Sequence, residues 1–235
     1  HFKTCHDKVN FVAMGPYTEL APVAFPAPII THNLGQVLAQ NNIPQLRLAE
    51  TEKYAHVTYF FNSQVEKSQP LEDRVLIDSP KCPSYAEQPE MSARPLTERA
   101  IKEVATEKYG FIAINYANAD LVGHSGNLDA TIKCCHVLDE CLAQLVPAAR
   151  SHGYTVLITG DHGNAEEMLY PNGEPCPAHS TNPVPFLIAT PQKNTPPITF
   201  PKNSGGLSTI APTILALLNI EKPKEMSGKN LINHV

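Results

Sequence analysis

The sequence predicts an α/β protein: a mostly parallel sheet with helices on both faces. Three observations predict it. Short, nearly unbroken apolar runs recur (FIAINY, YTVLIT, VPFLIA), as strands covered on both faces require. Between them lie segments whose apolar residues repeat every three or four positions, the period of an amphipathic helix. The 235 residues, 42% of them hydrophobic, suit one large domain or one and a half, with a sizeable core.

Along the chain, KVNFVAM at 8–14 reads as a strand. PYTELAPVAFPAP at 16–28 holds four prolines and reads as an extended linker, so a domain boundary falls there. THNLGQVLAQNN at 31–42 is predicted helical, with Thr31 as N-cap and Leu34, Val37 and Leu38 on one face. QLRLAE and HVTYFF look like strands, with Glu52 and Lys53 between them. Residues 62–95 are polar and proline-rich except for RVLI at 74–77. TERAIKEVATEK at 97–108 is predicted to be a helix on a stripe of Ala100, Ile101, Val104 and Ala105, ended by Gly110. FIAINY follows as a strand. Leu128, Ile132, Cys135, Leu138, Leu142, Leu145 and Ala149 then mark one face of a long helix, stopped by Gly153. YTVLIT and VPFLIA are the next strands. STIAPTILALLNI at 208–220 is a last helix, with Ser208 as its cap. There is no internal repeat.

The bulk composition excludes some classes. A net charge of −5 offers no broad basic field for nucleic acid or an anionic membrane. No apolar run approaches the roughly 20 residues that span a bilayer. The six cysteines (Cys5, Cys82, Cys134, Cys135, Cys141, Cys176) show no CxxC pair or framework spacing, which points to free thiols in a reducing, intracellular compartment. The 22 prolines predict many rigid loops and few very long helices. The chain starts at His1 with no signal or transit peptide in view and reads as the later part of a longer protein.

Polar residues gather at the strand ends. Asp120 and His124 follow FIAINY; Asp161 and His162 follow YTVLIT; His179 shortly precedes VPFLIA. Ligands of open parallel sheets collect beyond the carboxyl ends of the strands. Mixed oxygen and nitrogen donors suit a catalytic Mn²⁺ or Zn²⁺, whereas structural zinc prefers cysteine. Five donors exceed what one catalytic ion usually takes from a protein, which favours two ions. Each residue alone has a plainer reading: a hydrogen-bonded histidine, Asp161 capping a helix over NAEEM, Asp120 in an Asx turn. Those readings leave unexplained why all five fall together, with Gly123, Gly160 and Gly163 beside them. Lys53 has Glu50 and Glu52 as ordinary partners, so its pattern alone reads as a solvated lysine. His56 and His136 read as structural, as do His1, His6, His32 and His234, and His152 reads as a helix-end cation.

The phrases AETEKYAHVTYFFN, DSPKCPSYAEQPEMSA, INYANADLVGHSG, ITGDHGNAEEM and AHSTNPVPF strongly resemble the cofactor-independent (2,3-bisphosphoglycerate-independent) phosphoglycerate mutases of the alkaline phosphatase superfamily, over residues 9–232. The resemblance implies an alkaline-phosphatase-like fold, incomplete at its amino-terminal part. It implies that 1–15 is the tail of a substrate-binding transferase domain, 16–28 a linker, and 29–235 the carboxyl-terminal part of a metal-binding phosphatase domain. The implied activity is an isomerase of glycolysis and gluconeogenesis. It interconverts 3-phosphoglycerate and 2-phosphoglycerate through a phosphoserine, with two divalent ions (Mn²⁺, or Mg²⁺, Co²⁺ or Zn²⁺) and no 2,3-bisphosphoglycerate. By the same resemblance Asp120, His124 and His179 hold one ion, Asp161 and His162 the second, and Lys53 binds the phosphoryl group of the substrate.

The sequence departs from that family in what it lacks. The Gly-Asn-Ser-Glu-Val-Gly-His type motif of the nucleophilic serine, an earlier aspartate ligand and an arginine clamp do not occur in it. Ser125 and Ser180 adjoin metal ligands but match positions where the family has no nucleophile. The chain alone is therefore expected to be inactive, with unpaired sheet edges. Its implied partner is the missing amino-terminal half of a monomeric, cytoplasmic enzyme that takes a small phosphorylated substrate and binds neither nucleic acid nor membrane. A related metal-dependent phosphohydrolase or phosphopentomutase, or an inactive metal-binding fragment, are the alternatives. EKYAHVT and PEMSA favour the phosphoglycerate enzyme over the first two.

Overall fold

The structure is a computed structural model that describes residues 10–16, 18–26, 30–191, 198–199 and 205–234. They belong to two compact units, His1–Thr31 and His32–Val235. Cys5, His1 and His6 lie outside the described residues, as does part of the predicted first strand. What is described of that strand is not one. Ala13 makes a single parallel bridge to Val23, with its N–H donating to Pro22 O at 2.9 Å. The prolines around it leave no room for a longer ladder.

The second unit is built on a parallel sheet. β1 (Gln45–Glu50) lies between β2 (Glu72–Ile77) and β3 (Phe111–Asn115), in the order β2-β1-β3. Every residue of β1 is buried, because helices cover both faces. On one face Leu46 and Leu48 pack with Leu96, Ala100 and Val104 of α2 (Ala93–Ala105) and Leu145 and Ala149 of α4 (Leu128–Ser151). Each such leucine contributes about 1.5–3 kcal/mol through burial. On the other face α1 (Leu34–Gln40) and α5 (Ile210–Leu217) share a cluster of Leu34, Val37, Leu38 and Leu215. The predicted α/β architecture holds.

Several boundaries differ, each for a local reason. Asn33, not Thr31, caps α1: its Oδ1 accepts from Gln36 N–H at 3.0 Å while Gln36 Oε1 accepts from Asn33 N–H at 3.2 Å. HVTYFF is not a strand. A 3₁₀ turn over Thr51–Lys53 leads into a π-helical turn over His56–Phe60. Its β-branched and aromatic residues mimic strand composition, but the adjacent Val57 and Thr58 are both buried, as no one-sided strand allows. α2 begins at Ala93, a turn earlier than predicted, and ends at Ala105 with Glu107 at φ +52°. Gly110 instead donates its N–H to Pro44 O.

α4 runs 24 residues in spite of Pro147, the long helix that the sequence predicts. Asn127 caps it, and Gly153, at φ +82°, follows its end where a side chain would be strained. Its buried stripe is Ala130, Cys134, Val137, Cys141, Leu145 and Ala149, while Leu128 and Ile132 face solvent. Small residues let α4 approach its neighbours closely, so the stripe is rotated from the one the larger residues suggest. α5 starts at Ile210 after a 3₁₀ turn over Leu207–Thr209, so Ser208 is inside that turn and caps nothing. Cys82, Cys134, Cys135, Cys141 and Cys176 are free thiols. No helix among the described residues is long and apolar enough to cross a membrane.

β4 (Val156–Thr159) and β5 (Phe186–Ala189) pair antiparallel, with Thr159 opposite Phe186, and not in the parallel sense predicted. The segment entering β5 therefore starts beside the segment leaving β4. β6 (Ile198–Thr199) and β7 (Asn233–His234) form a second short antiparallel pair.

Candidate metal centre

Three segments bring their polar residues together. α3 (Asn118–Gly123) follows β3, with Asp120 in its first turn and His124 as its C-cap. The start of α3 is fixed by Asn118, fully buried, whose Nδ2 donates to Pro89 O at 2.8 Å and Glu90 O at 2.9 Å. The loop after β4 carries Asp161 and His162. The loop before β5 carries His179, and it reaches the same edge only because β4 and β5 are antiparallel. Ser180 N–H donates to Gly163 O at 2.9 Å and ties these two loops. No helix forms over NAEEM, so Asp161 caps nothing.

Asp120 is the hub. His124 Nε2 and His179 Nε2 each lie 3.1 Å from its Oδ1, and His162 Nε2 lies 4.0 Å away. The Nε2 atoms of His124 and His179 are 3.3 Å apart. The His162 and His179 rings stack at 3.6 Å, 12° from parallel. Donor atoms of Asp120, His162 and His179 all fall within 4.8 Å of one another. Asp161 stands to one side, half-exposed, with Oδ1 3.5 Å from His162 Nε2. By distance the donors form one cluster, in which His162 Nε2 lies 3.5 Å from Asp161 and 4.0 Å from Asp120 while its ring stacks on His179.

Lys53 is not a solvated lysine. It is 4% exposed and pairs with Asp120 Oδ2, not with Glu50 or Glu52. Glu50 instead accepts from Ser79 Oγ at 2.8 Å and Ser92 N–H at 3.3 Å. Burial alone would raise the Asp120 pKa. The hydrogen bonds from Lys53 and Asn164, with the charges of Lys53 and His124, bring it down to about 2. The hub is thus an anion at neutral pH. Burial and the Lys53 charge hold His56, in the π-helical turn, below its ordinary value.

Two residues escape sequence reasoning. Asn164, 4% exposed, donates Nδ2 to Asp120 Oδ1 at 2.7 Å and to Asp120 O at 3.2 Å. Glu166 accepts from Ser180 Oγ, from Asn182 Nδ2 at 3.1 Å and from Asn164 N–H at 2.8 Å. The Ser180 hydroxyl foremost, with Asn182 and backbone N–H groups, holds its carboxyl at about 2. The GNAEEM phrase contains both, but loop Asn and Glu are too common to mark a role. Ser125 Oγ donates to Val122 O at 2.6 Å.

A crowd of imidazole nitrogens around one ionised carboxylate has the donor chemistry of a divalent-cation site. A neutral imidazole there either donates Nε2–H to the Asp120 carboxylate or turns a lone pair to a cation.

Comparison with known proteins agrees with that chemistry. A family model described as the metalloenzyme superfamily matches residues 17–222. The chain is similar to the 2,3-bisphosphoglycerate-independent phosphoglycerate mutase of Gracilaria tenuistipitata var. liui, 52% identical over 210 residues that cover 89% of this chain and 41% of that protein. It is also similar to that of Desulforudis audaxviator (strain MP104C), 49% identical over 229 residues, 95% of this chain and 43% of that protein. Among solved structures it resembles a Leishmania mexicana phosphoglycerate mutase crystallised at low cobalt concentration, with a TM-score of 0.84 and 28% identity. The likeness covers 95% of this chain and 44% of that one. The chain spans less than half the length of the relatives it matches.

Proposed function

Because this chain belongs to the metalloenzyme superfamily, we propose that it is the metal-binding part of a phosphoglycerate mutase. The whole protein interconverts 3-phosphoglycerate and 2-phosphoglycerate, a step of glycolysis and gluconeogenesis, without 2,3-bisphosphoglycerate. The observation that carries this reading is the convergence of His124, His162 and His179 on Asp120, with the buried Lys53 on the same carboxylate.

The donor set fits two divalent cations, Mn²⁺ above the others. Asp120, His124 and His179 hold one, and Asp161 and His162 contribute to the second. The ions, when bound, supply Lewis-acid stabilisation of phosphoryl oxygens. Lys53, shielded from water beside Asp120, attracts the substrate phosphate. Asp120 stays ionised, and Asn164 fixes its orientation.

The nucleophile is a serine outside this chain. Its oxygen attacks phosphorus and one glycerate hydroxyl leaves. The glycerate turns, and its other hydroxyl takes the phosphoryl group back from the serine. In this reading residues 1–15 end the transferase domain, 16–28 link, and 29–235 belong to the phosphatase domain. The amino-terminal half supplies the serine, a further carboxylate and the arginines. The free thiols fit the cytoplasm.

The test is a mutase assay with Mn²⁺ and no 2,3-bisphosphoglycerate, on the purified chain alone and recombined with an amino-terminal half from a relative. Turnover is expected only from the recombined pair, with 3-phosphoglycerate and not with ribose 1-phosphate or nitrophenyl phosphate. Turnover by the chain alone would place the nucleophile within it and overturn the assignment.

A further inference from the structure

The loop 161–167 and the loop 179–182 must hold two histidine rings face to face, yet neither loop is a helix or a strand. His179 is 46% exposed in its side chain, so packing does little to hold it. One carboxylate bridges the two loops. Glu166, from the first, accepts from Ser180 Oγ and Asn182 Nδ2 of the second and from Asn164 N–H of its own. Glu167 adds a bond from Asn182 Nδ2 at 3.0 Å. The fit beside it is close: a Cβ on Gly163 would push against Ser180 Oγ and Glu166 Oε1 and displace the pair.

We propose that Glu166 is a positioning residue, which clips the 179–182 loop onto the 161–167 loop and so sets His179 against His162 and Asp120. The idea rests on the metal-centre reading above. Glu166 touches no donor atom of the cluster itself; it acts through Ser180, the neighbour of His179. Its bonds to Ser180 and Asn182 are exposed, so they contribute little to global stability. What it removes is the freedom of one ligand loop relative to the other, a freedom that a binding cation would otherwise have to freeze.

The experiment compares wild type, Glu166→Ala and Glu166→Gln in three readouts. The first is hydrogen exchange of the Ser180 amide without metal. The second is Mn²⁺ affinity, followed by the electron paramagnetic resonance of free Mn²⁺. The third is the thermal midpoint without metal. Glu166→Ala is expected to speed Ser180 exchange about tenfold and to weaken Mn²⁺ binding by about 10- to 100-fold, with the metal-free midpoint unchanged. Glu166→Gln keeps an accepting oxygen and is expected to recover part of both effects.

Unchanged Ser180 exchange in Glu166→Ala overturns the proposal. So does a metal-free midpoint that drops in step with affinity and is not recovered by Gln, since Glu166 would then be merely structural. If wild type takes up no Mn²⁺ while Ser180 exchange still rises in Glu166→Ala, the metal-centre reading fails and the clip stands.

Discussion

The parallel sheet carries a buried charged cluster at each end, and the two are built on opposite plans. At the amino-terminal end of β1 and β2, Arg74 Nε donates to Glu72 Oε1 at 2.6 Å and Asn62 Nδ2 to Glu72 Oε2 at 2.8 Å. Arg47 Nη2 donates to Gln45 Oε1 at 2.6 Å, and its guanidinium lies 4.2 Å from the Phe61 ring centre and 5.2 Å from that of Phe111. Burial lowers the Arg47 pKa to about 10, Glu72 opposes the drop, and the group remains a cation at neutral pH. At the carboxyl-terminal end, one carboxylate faces a lysine and three imidazoles. In the first cluster the Glu72 carboxylate takes its donors from within the chain, although Arg47 Nε and Nη1, Arg74 Nη2 and Asn62 Oδ1 are buried without a hydrogen-bond partner. The second gathers three imidazoles, groups that bind cations through nitrogen, around one carboxylate. Arginine and glutamate side by side fix where elements sit; imidazoles around a carboxylate have the donor types that a cation takes.

The comparison breaks most sharply at Glu72. Glu72→Ala strands Arg74 and Asn62 in the interior and is expected to cost about 3–5 kcal/mol in urea unfolding. Mn²⁺ bound per folded molecule should not change. Next in size is Asp120→Asn, which leaves the buried Lys53 without its anion. About 1–3 kcal/mol of stability should go, and elemental analysis should show the loss of one Mn²⁺. An Asp120→Asn chain that keeps its metal would place the hub elsewhere.

A third prediction concerns pH. Burial foremost raises the Glu50 pKa above its ordinary 4.5, against the bonds from Ser79 and Ser92. Its Oε1 is buried and unpartnered. A carboxyl raised by folding supports stability below its unfolded value and loses that support as pH rises through the folded one. Glu50→Gln should therefore be more stable than wild type at pH 7, with the difference gone below about pH 4.5. Equal stability at both pH values would show that Glu50 bears no strain. The smallest effect falls on His179→Ala. Without metal its stability should stay within about 0.5 kcal/mol of wild type, yet it should bind one Mn²⁺ fewer.

The sequence makes the five candidate donors legible because each lies near an apolar run, and that contrast of strand and charge survives errors in the boundaries. It leaves the route of His179 hidden. YTVLIT and VPFLIA read the same in a parallel or an antiparallel pair, and only hydrogen-bond direction separates them. HVTYFF misleads because β-branched and aromatic residues suit a pleated surface. Here Thr58 Oγ1 donates to Tyr54 O at 2.8 Å and the chain stays coiled. The α4 stripe escapes because alanine and cysteine are weak apolar signals, although they are what lets two helices close. Lys53 looks solvated beside Glu50 and Glu52, since no local pattern reveals a partner as far along the chain as Asp120.

The antiparallel ladder of β4 and β5 also acts as a measuring rule. A slip of one residue would turn every side chain of β5 to the wrong face. A slip of two restores the faces but displaces the incoming loop by about 6.8 Å, two strand rises. The donor atoms of Asp120, His162 and His179 lie within 4.8 Å of one another, so no shifted alignment retains them. Four backbone pairs, Val156 with Ala189 through Thr159 with Phe186, thereby set the spacing of side chains further along both loops.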